Sequence, residues 1–368
     1  MNIPKINFDL PKKNSVLIFD HNYASYLEEV IKPNKTFVIK IRNSINFFAG
    51  FYALFFFYRS SFKIEYLNFF IKKSKTKLFI SFAFKKTIVY NLKKYNPNVK
   101  FIIIQYCVVD NRFVSLLKKN KHKKFSCDYF FCFSKLYKDL FSKFIKTDYI
   151  IIGSPYSNHY KIDNSNKRKE VIFISQYKKK MEDIKNSYHF SLEHMRKSEK
   201  FLLPILQEFC LKNKLMLSIL PGESDIDGQK KYYTKILNNE NYYVYKRDTT
   251  KSYNIIDKAT FCVSVNSTLG HEAIGRGLKA CLINCTNFCD PKFYMEIIAG
   301  QAFYEKNKDC FVTHDDGDKL NKTFSNLLQL SNIQFKKIND SKTFMEFDSE
   351  NSKLRLVIKN ILKNEKNL

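Results

Sequence analysis

Short apolar runs alternate with longer amphipathic stretches along nearly the whole chain. In its first part, apolar runs bounded by polar residues predict strands over 15–20, 36–41, 77–81, 99–105, 128–134 and 148–152. Between them, near-helical spacing of apolar positions predicts helices over 23–31, 64–73 and 85–94. The pattern stops at Gly153, Ser154 and Pro155, and 156–169 is polar, charged and aperiodic, which predicts a linker. The alternation resumes with strands over 170–175, 215–220, 242–245, 260–264, 280–284 and 310–313. Helices are predicted over 192–212, 318–330 and 352–363, and no repeat of fixed period is present. This is the pattern of parallel sheets with covering helices. It predicts an α/β protein with a first domain at 1–155, a linker at 156–169, a second domain at 170–335 and a helical tail at 336–368.

Composition changes the picture little. Of 368 residues, 45% are hydrophobic, enough for two cores and against a disordered chain. The formal net charge of +28 points to an anionic partner, either phosphorylated substrates, anionic lipid or nucleic acid. The chain has no Trp and is rich in Lys, Asn, Ile, Phe and Tyr, as an AT-rich genome dictates, so part of that charge reflects codon usage. No helix-turn-helix or aromatic RNA-binding motif is present, which argues against nucleic acid. The start, 1–13, lacks the apolar core of a leader, and nine irregularly spaced cysteines suit a reducing compartment, so a cytoplasmic protein is expected. Cys281, Cys285 and Cys289 are evenly spaced, but no His or fourth Cys completes a metal set.

The most apolar run, 45–58, falls short of the roughly 20 residues that cross a bilayer and is followed at once by Arg59. It reads as a buried helix or as an aromatic, base-flanked surface resting on an anionic membrane.

Chemistry concentrates late in the chain. Three of the nine glycines, Gly270, Gly275 and Gly277, fall within eight residues, between a strand-like run ending at Ser264 and another starting at Ala280. Strand, polar turn, short helix, strand is an order that presents a helix N-terminus to an anion. Ser267 or Thr268 would cap that helix and leave backbone N–H groups for a phosphate oxygen. Glu272 is placed in the first turn, beside that site, where it could accept from ribose hydroxyls. The same spacing also describes a capped helix carrying an acidic residue that suits the dipole.

Two further turns follow strands of the second domain. Ser175, Gln176, Lys178 and Lys179 lie where open α/β sheets bind ligands, and the lysines could neutralise phosphate or simply be solvated. Asp225 and Asp227 form a D-x-D pair that could hold a divalent metal or open a helix. In the first domain, Asp20 and His21 after the first strand, and Asp110 after 99–105, are the candidate acid–base groups. No G-x-G-x-x-G, P-loop, H-E-x-x-H or G-x-S-x-G is present.

An ordered set of blocks then resembles a known family. Ile102 to Gln105 resembles a strand ending in Gln; Cys127 to Ser134 resembles a D-Y-x-x-x-F strand; Ile151 to Ser154 resembles the turn closing a first domain. Phe173 to Tyr177 resembles the opening of a second domain, and Ser267 to Ala273 with Gly277 resembles a donor-site motif. Together they resemble the bacterial surface-carbohydrate biosynthesis proteins, which are GT-B glycosyltransferase-like. The chain departs from that pattern at Tyr106 and Cys107, and at Asp20 to Asn22, where a glycine-rich turn is usual.

The resemblance implies two Rossmann-like domains facing across a cleft, with the donor held mainly by the second. It implies metal-independent transfer of a sugar from a nucleotide-activated donor onto a surface glycan, such as capsule or lipopolysaccharide, or its lipid-linked precursor. No cofactor is implied. Ser267, Thr268 and Gly270 would contact donor phosphate, Glu272 the ribose, and Ser175 and Gln176 would line the same site. A nucleotide-sugar 2-epimerase shares the second-domain motif, and a non-catalytic basic polyanion-binding scaffold is the alternative outside enzymes.

Overall fold

The structure is a computed structural model that describes residues 5–11, 13, 16–19, 27, 31, 36–39, 44–109, 111–163, 165, 167–177, 189–222, 224–237, 239–248, 251–265, 267–283, 311–312, 316–338 and 345–364. The chain divides into two compact units. One comprises Met1–Cys107, Ser115–His159 and Asp348–Leu368; the other comprises Val108–Val114 and Tyr160–Phe347.

The first unit is built on a six-stranded, fully parallel sheet. Its strands are β2 (Val16–Phe19), β3 (Thr36–Ile39), β5 (Leu78–Ser81), β6 (Lys100–Ile104), β7 (Phe125–Cys132) and β8 (Ile145–Ile151), in the order β3-β2-β5-β6-β7-β8. The inner strands β2, β5 and β6 are near-continuous apolar runs because both of their faces are covered. One face carries Val16, Ile18, Leu78, Ile80, Ile102 and Ile104. Leu354, Ile358 and Ile361, spaced to fall on one side of the last helix, pack against that face. The opposite face carries an aromatic layer in which Phe79 and Phe101 lie 4.8 Å apart, and Phe130 and Phe141 5.0 Å apart.

Two residues of the resemblance blocks serve this sheet. Asp128 sits at a bulge in β7, where its carboxylate accepts from the Phe101 N–H at 2.7 Å and pairs with Lys93 at 2.8 Å. Gln105, wholly buried, accepts from the Phe133 N–H at 3.0 Å and ties the ends of β6 and β7 together.

The 45–58 run forms a short strand, β4 (Ser44–Asn46), paired in parallel with β1 (Lys5–Asn7), and then helix α1 (Phe47–Phe56). Only Ala49 and Ala53 of α1 are buried, so the buried-helix reading is overturned: most of its large side chains face outward. No described helix is long and apolar enough to cross a membrane.

The second unit repeats the theme with another six-stranded parallel sheet. Its strands are β9 (Glu170–Ile174), β10 (Met216–Leu220), β11 (Tyr242–Val244), β12 (Phe261–Ser264), β13 (Ala280–Ile283) and β14 (Phe311–Val312). The order is β11-β10-β9-β12-β13-β14, the doubly wound order of a Rossmann domain. The long helix His189–Lys212 and the helix Gly317–Gln329 cover it, with Phe209, Phe261 and Phe324 forming a shared aromatic cluster. Two Rossmann-like α/β units are thus present, as GT-B proteins have.

Candidate functional site

In the second sheet the chain builds outward in one direction through β9, β10 and β11, then returns to the other side of β9 with β12. Open α/β sheets bind ligands beyond the carboxyl ends of the strands at such a switch point. Ile174, the last residue of β9, is in register with Ser264, the last of β12, and with Leu220, the last of β10. The turns singled out in the sequence, after Ile174, Leu220 and Ser264, therefore leave the same sheet edge side by side.

The turn after β12 opens helix α10 (Thr268–Gly275). Ser267 is its cap, in extended conformation, and its Oγ accepts from the Leu269 N–H at 3.3 Å. Its own N–H donates to Ser264 Oγ at 3.0 Å, which fixes the turn to the strand end. The Ser267 carbonyl accepts from the Gly270 N–H at 3.0 Å and lies 3.1 Å from His271 Nδ1. Burial pushes the His271 imidazole down to about 4, so it is neutral near pH 7, and a proton on Nδ1 donates to that carbonyl. The Thr268 N–H, at the positive end of the helix dipole, has no partner among the described residues. Thr268 Oγ1 accepts from the Val108 N–H at 3.5 Å. One unsatisfied N–H on a capped, half-exposed helix start is what an anion needs.

The glycines have a different explanation from phosphate contact. A Cβ on Gly270 would lie 2.7 Å from Leu282 Cδ2 and 3.0 Å from Ser264 Cβ, so this glycine seats α10 closely on β12 and β13. A Cβ on Gly275 would lie 2.9 Å from the Met345 carbonyl. Gly277 has φ +76° and ends the helix in a Schellman motif: its N–H donates to the Ile274 carbonyl at 2.8 Å, and that of Leu278 to the Ala273 carbonyl at 3.0 Å.

Glu272 lies in the second turn of α10, not the first, because the helix begins at Thr268. Its side chain is buried, and one carboxylate oxygen accepts from the Tyr253 hydroxyl at 2.7 Å. Tyr253 stacks on Tyr160 at 4.9 Å and lies under the Arg276 guanidinium at 5.0 Å. Arg276 is wholly buried and grips Asp257 with two hydrogen bonds, Nε to Oδ1 at 2.9 Å and Nη2 to Oδ2 at 2.6 Å. It also donates to the carbonyls of Tyr160 and Lys161 at 2.9 and 3.1 Å. The far end of α10 is thereby tied to the segment that enters the second unit.

The turn after β9 is held from within. Ser175 Oγ accepts from the Tyr233 hydroxyl at 2.6 Å and from the Tyr177 N–H at 3.1 Å, and lies 3.5 Å from Gln229 Oε1. This hydroxyl shapes the loop and is committed to it. Gln176, half-buried beside it, lends its backbone to Glu199, a residue for which the sequence gives no local signal. Burial pushes the Glu199 carboxyl up to about 7, while the Tyr232 hydroxyl at 2.8 Å, the Gln176 backbone and the Arg196 charge pull it back. Tyr232 in turn stacks on Tyr177 at 4.8 Å.

The D-x-D pair opens helix Ile226–Thr234: Asp225 is its cap, accepting from the Gly228 N–H at 3.0 Å, and Asp227 lies in the first turn. No group of three or more metal-ligating acid, His or Cys side chains occurs among the described residues. Ser175, Gln176, Ser267, Thr268, Gly270 and Glu272 thus all gather at or behind the carboxyl ends of β9 and β12. Asp20, His21, Asp110, Lys178, Lys179, Cys285 and Cys289 lie outside the described residues.

Comparison with known proteins agrees with the fold. Residues 102–363 match a family described as "putative O-antigen biosynthesis protein". No curated protein matches in sequence. Among solved structures, a UDP-GlcNAc 2-epimerase from Neisseria meningitidis bound to UDP-GlcNAc is similar at TM-score 0.54 and 10% identity, over 95% of this chain and 99% of that one. The spinosyn rhamnosyltransferase SpnG is similar at TM-score 0.54 and 8% identity, over 93% and 99%. A sucrose-phosphate synthase from Thermosynechococcus elongatus is similar at TM-score 0.52 and 10% identity, over 96% and 100%. At these identities the likeness is one of fold.

Proposed function

The chain belongs to the O-antigen biosynthesis protein family, and from that premise we propose that it is a glycosyltransferase moving a sugar from a nucleotide-activated donor onto a surface polysaccharide or its lipid-linked precursor. The observation that carries this reading is the convergence at the β9/β12 switch point of the half-buried Gln176 and a capped helix start whose Thr268 N–H has no partner among the described residues. Glu272, one turn behind the helix start, is the residue this reading assigns to the donor ribose.

In the proposed reaction the acceptor oxygen attacks the anomeric carbon while the bond from that carbon to the donor phosphate breaks. The electron pair leaves on the phosphate oxygen, whose growing charge the α10 N-terminus stabilises. The acceptor proton passes to Asp20, His21 or Asp110. No cofactor enters the scheme, and the helix end takes the part a metal plays elsewhere. The site of action is the cytoplasmic side of the membrane.

A thermal-shift screen of UDP, GDP, CDP and CMP and their sugar conjugates tests the reading. One nucleotide series should stabilise the protein, by an amount that grows with concentration as RT ln(1 + [L]/Kd), and a glycan product should form with the matching donor. The absence of any shift at millimolar nucleotide would overturn it. Release of a 2-epimeric nucleotide sugar without acceptor would replace it with the epimerase reading.

A further inference from the structure

Helix α1 presents an apolar face with none of the described residues packed upon it. At 100° per residue, Phe47, Phe51, Leu54 and Phe55 fall within an arc of roughly 100°. The opposite arc holds Ala49 and Ala53, small enough to let the helix lie close on helix Phe62–Lys73, with Tyr52 packed against Phe69 at 5.6 Å. Together with Phe57 and Tyr58 just beyond the helix, the outward residues are 48–69% exposed. With side chains of roughly 200 Å² half exposed, these six display on the order of 600 Å² of apolar surface. That is the upper end of what soluble monomers show. The patch continues onto β1 and its flank, where Phe8 lies 5.2 Å from Phe47.

The rim is basic. The Arg59 guanidinium lies 4.5 Å from the Phe56 ring and donates to the Tyr58 hydroxyl at 3.1 Å. The Lys72 ammonium donates to the Tyr52 hydroxyl at 3.1 Å. Lys63 follows Phe62 and is exposed. Within 5–11 and 44–64, Asp9 is the single acidic residue, and the next carboxylate, Glu65, is buried against Ser60 and Asn68.

We propose that this surface is a membrane-docking face, with α1 lying in the plane of an anionic bilayer, its aromatic side chains at the acyl boundary and Arg59, Lys63 and Lys72 at lipid phosphates. Aromatic side chains beneath a cationic rim match an anionic interface. A second copy of the chain is a poor occupant, since each copy carries a formal +28 and the rims would repel. The inference rests on the first unit alone and stands whatever reaction the second unit serves.

Because the protein contains no Trp, Phe55→Trp puts its one Trp on the face, a reporter excited selectively over the 23 Tyr. Titration with vesicles of phosphatidylcholine containing 30% phosphatidylglycerol should shift its emission to the blue, with quenching by lipids brominated near the headgroup end of the acyl chain. Pure phosphatidylcholine should give at least tenfold weaker binding. In co-sedimentation of the full chain, Phe51→Ser/Phe55→Ser should lower the affinity at least tenfold while leaving the melting midpoint unchanged, since both positions are exposed. An unshifted Trp emission with anionic vesicles overturns the proposal. So does equal sedimentation of the double variant, or a dimer in ultracentrifugation that the double variant abolishes without any vesicle binding.

Discussion

Arg276 offers the sharpest test of how the second unit is held. The guanidinium and the Asp257 carboxylate are both wholly removed from solvent, joined at 2.6 and 2.9 Å, with the carbonyls of Tyr160 and Lys161 taking further donors. Removing one partner of a buried pair strands the other charge, at a cost of about 3–5 kcal/mol. Arg276→Met removes the charge while keeping much of the volume, so the stranded Asp257 carboxylate dominates the loss. Among the described residues, Asp257 then retains the Asp163 N–H at 2.9 Å and a contact of its backbone carbonyl with Lys167. For a unit of this size, roughly 2–4 °C is lost per kcal/mol, so the melting midpoint of the second unit should fall by roughly 10 °C. Replacing both partners, Arg276→Met with Asp257→Leu, removes the stranded charge and should recover at least half of that fall. Scanning calorimetry of the single and double variants measures both quantities. A single variant within 2 °C of wild type, or a double variant that loses as much as the two singles summed, would refute the reasoning.

Glu199 and His271 should impose opposite pH dependences. Glu199 goes from an ordinary 4.5 to about 7 on folding, so the native state holds its proton longer and stability falls as pH rises from 4.5 to 7, by about 3 kcal/mol. His271 goes from 6.5 to about 4, so stability falls as pH drops from 6.5 to 4, by a similar amount. The two nearly cancel in the wild type. Glu199→Gln should reveal a midpoint that climbs with pH between 4 and 6.5, and His271→Asn one that declines between 4.5 and 7; pH-dependent urea denaturation reads both. Gly277→Ala should cost about 1–2 kcal/mol, because an L side chain is strained at φ +76° and its Cβ would also displace the Lys336 side chain. A denaturation midpoint unchanged from wild type would contradict the Schellman assignment.

The strands of both sheets were legible because they are apolar runs cut short by polar residues; β9, β10 and β12 begin and end within about a residue of expectation. At β7 the sequence misled. Asp128 reads as a strand's polar boundary, yet the strand starts at Phe125 and the carboxylate is taken up by a bulge. Helices such as Asn111–Lys119, Lys135–Phe141 and Ser252–Asp257 went unpredicted, since six to nine residues give too few turns for a period to show. Helix Ser352–Asn364 was foreseen as an element, but local periodicity says nothing of its partner, which is the sheet of the first unit. At the site, Ser267 was readable as a cap from residue type and position. The Tyr253–Glu272, Asp257–Arg276 and Glu199–Tyr232 pairs were not, because each joins residues far apart in sequence. The glycine cluster marks helix α10, but Gly270 and Gly277 are explained by close seating and a helix end rather than by phosphate contact.

The claim that α10 receives a donor phosphate is tested most directly by Thr268→Pro. Thr268 is the first helical residue, where proline's fixed φ fits, and Ser267 before it already has the extended backbone, φ −83° and ψ 139°, that a following proline requires. The substitution deletes the Thr268 N–H, which has no partner among the described residues, and the long 3.5 Å contact of Thr268 Oγ1 with the Val108 N–H, so the fold and melting midpoint should survive. Calorimetric titration with the nucleotide that stabilises the wild type should then show affinity lowered by roughly 10–100-fold, the worth of one charge-assisted hydrogen bond. Unchanged affinity in a folded Thr268→Pro protein would contradict the account.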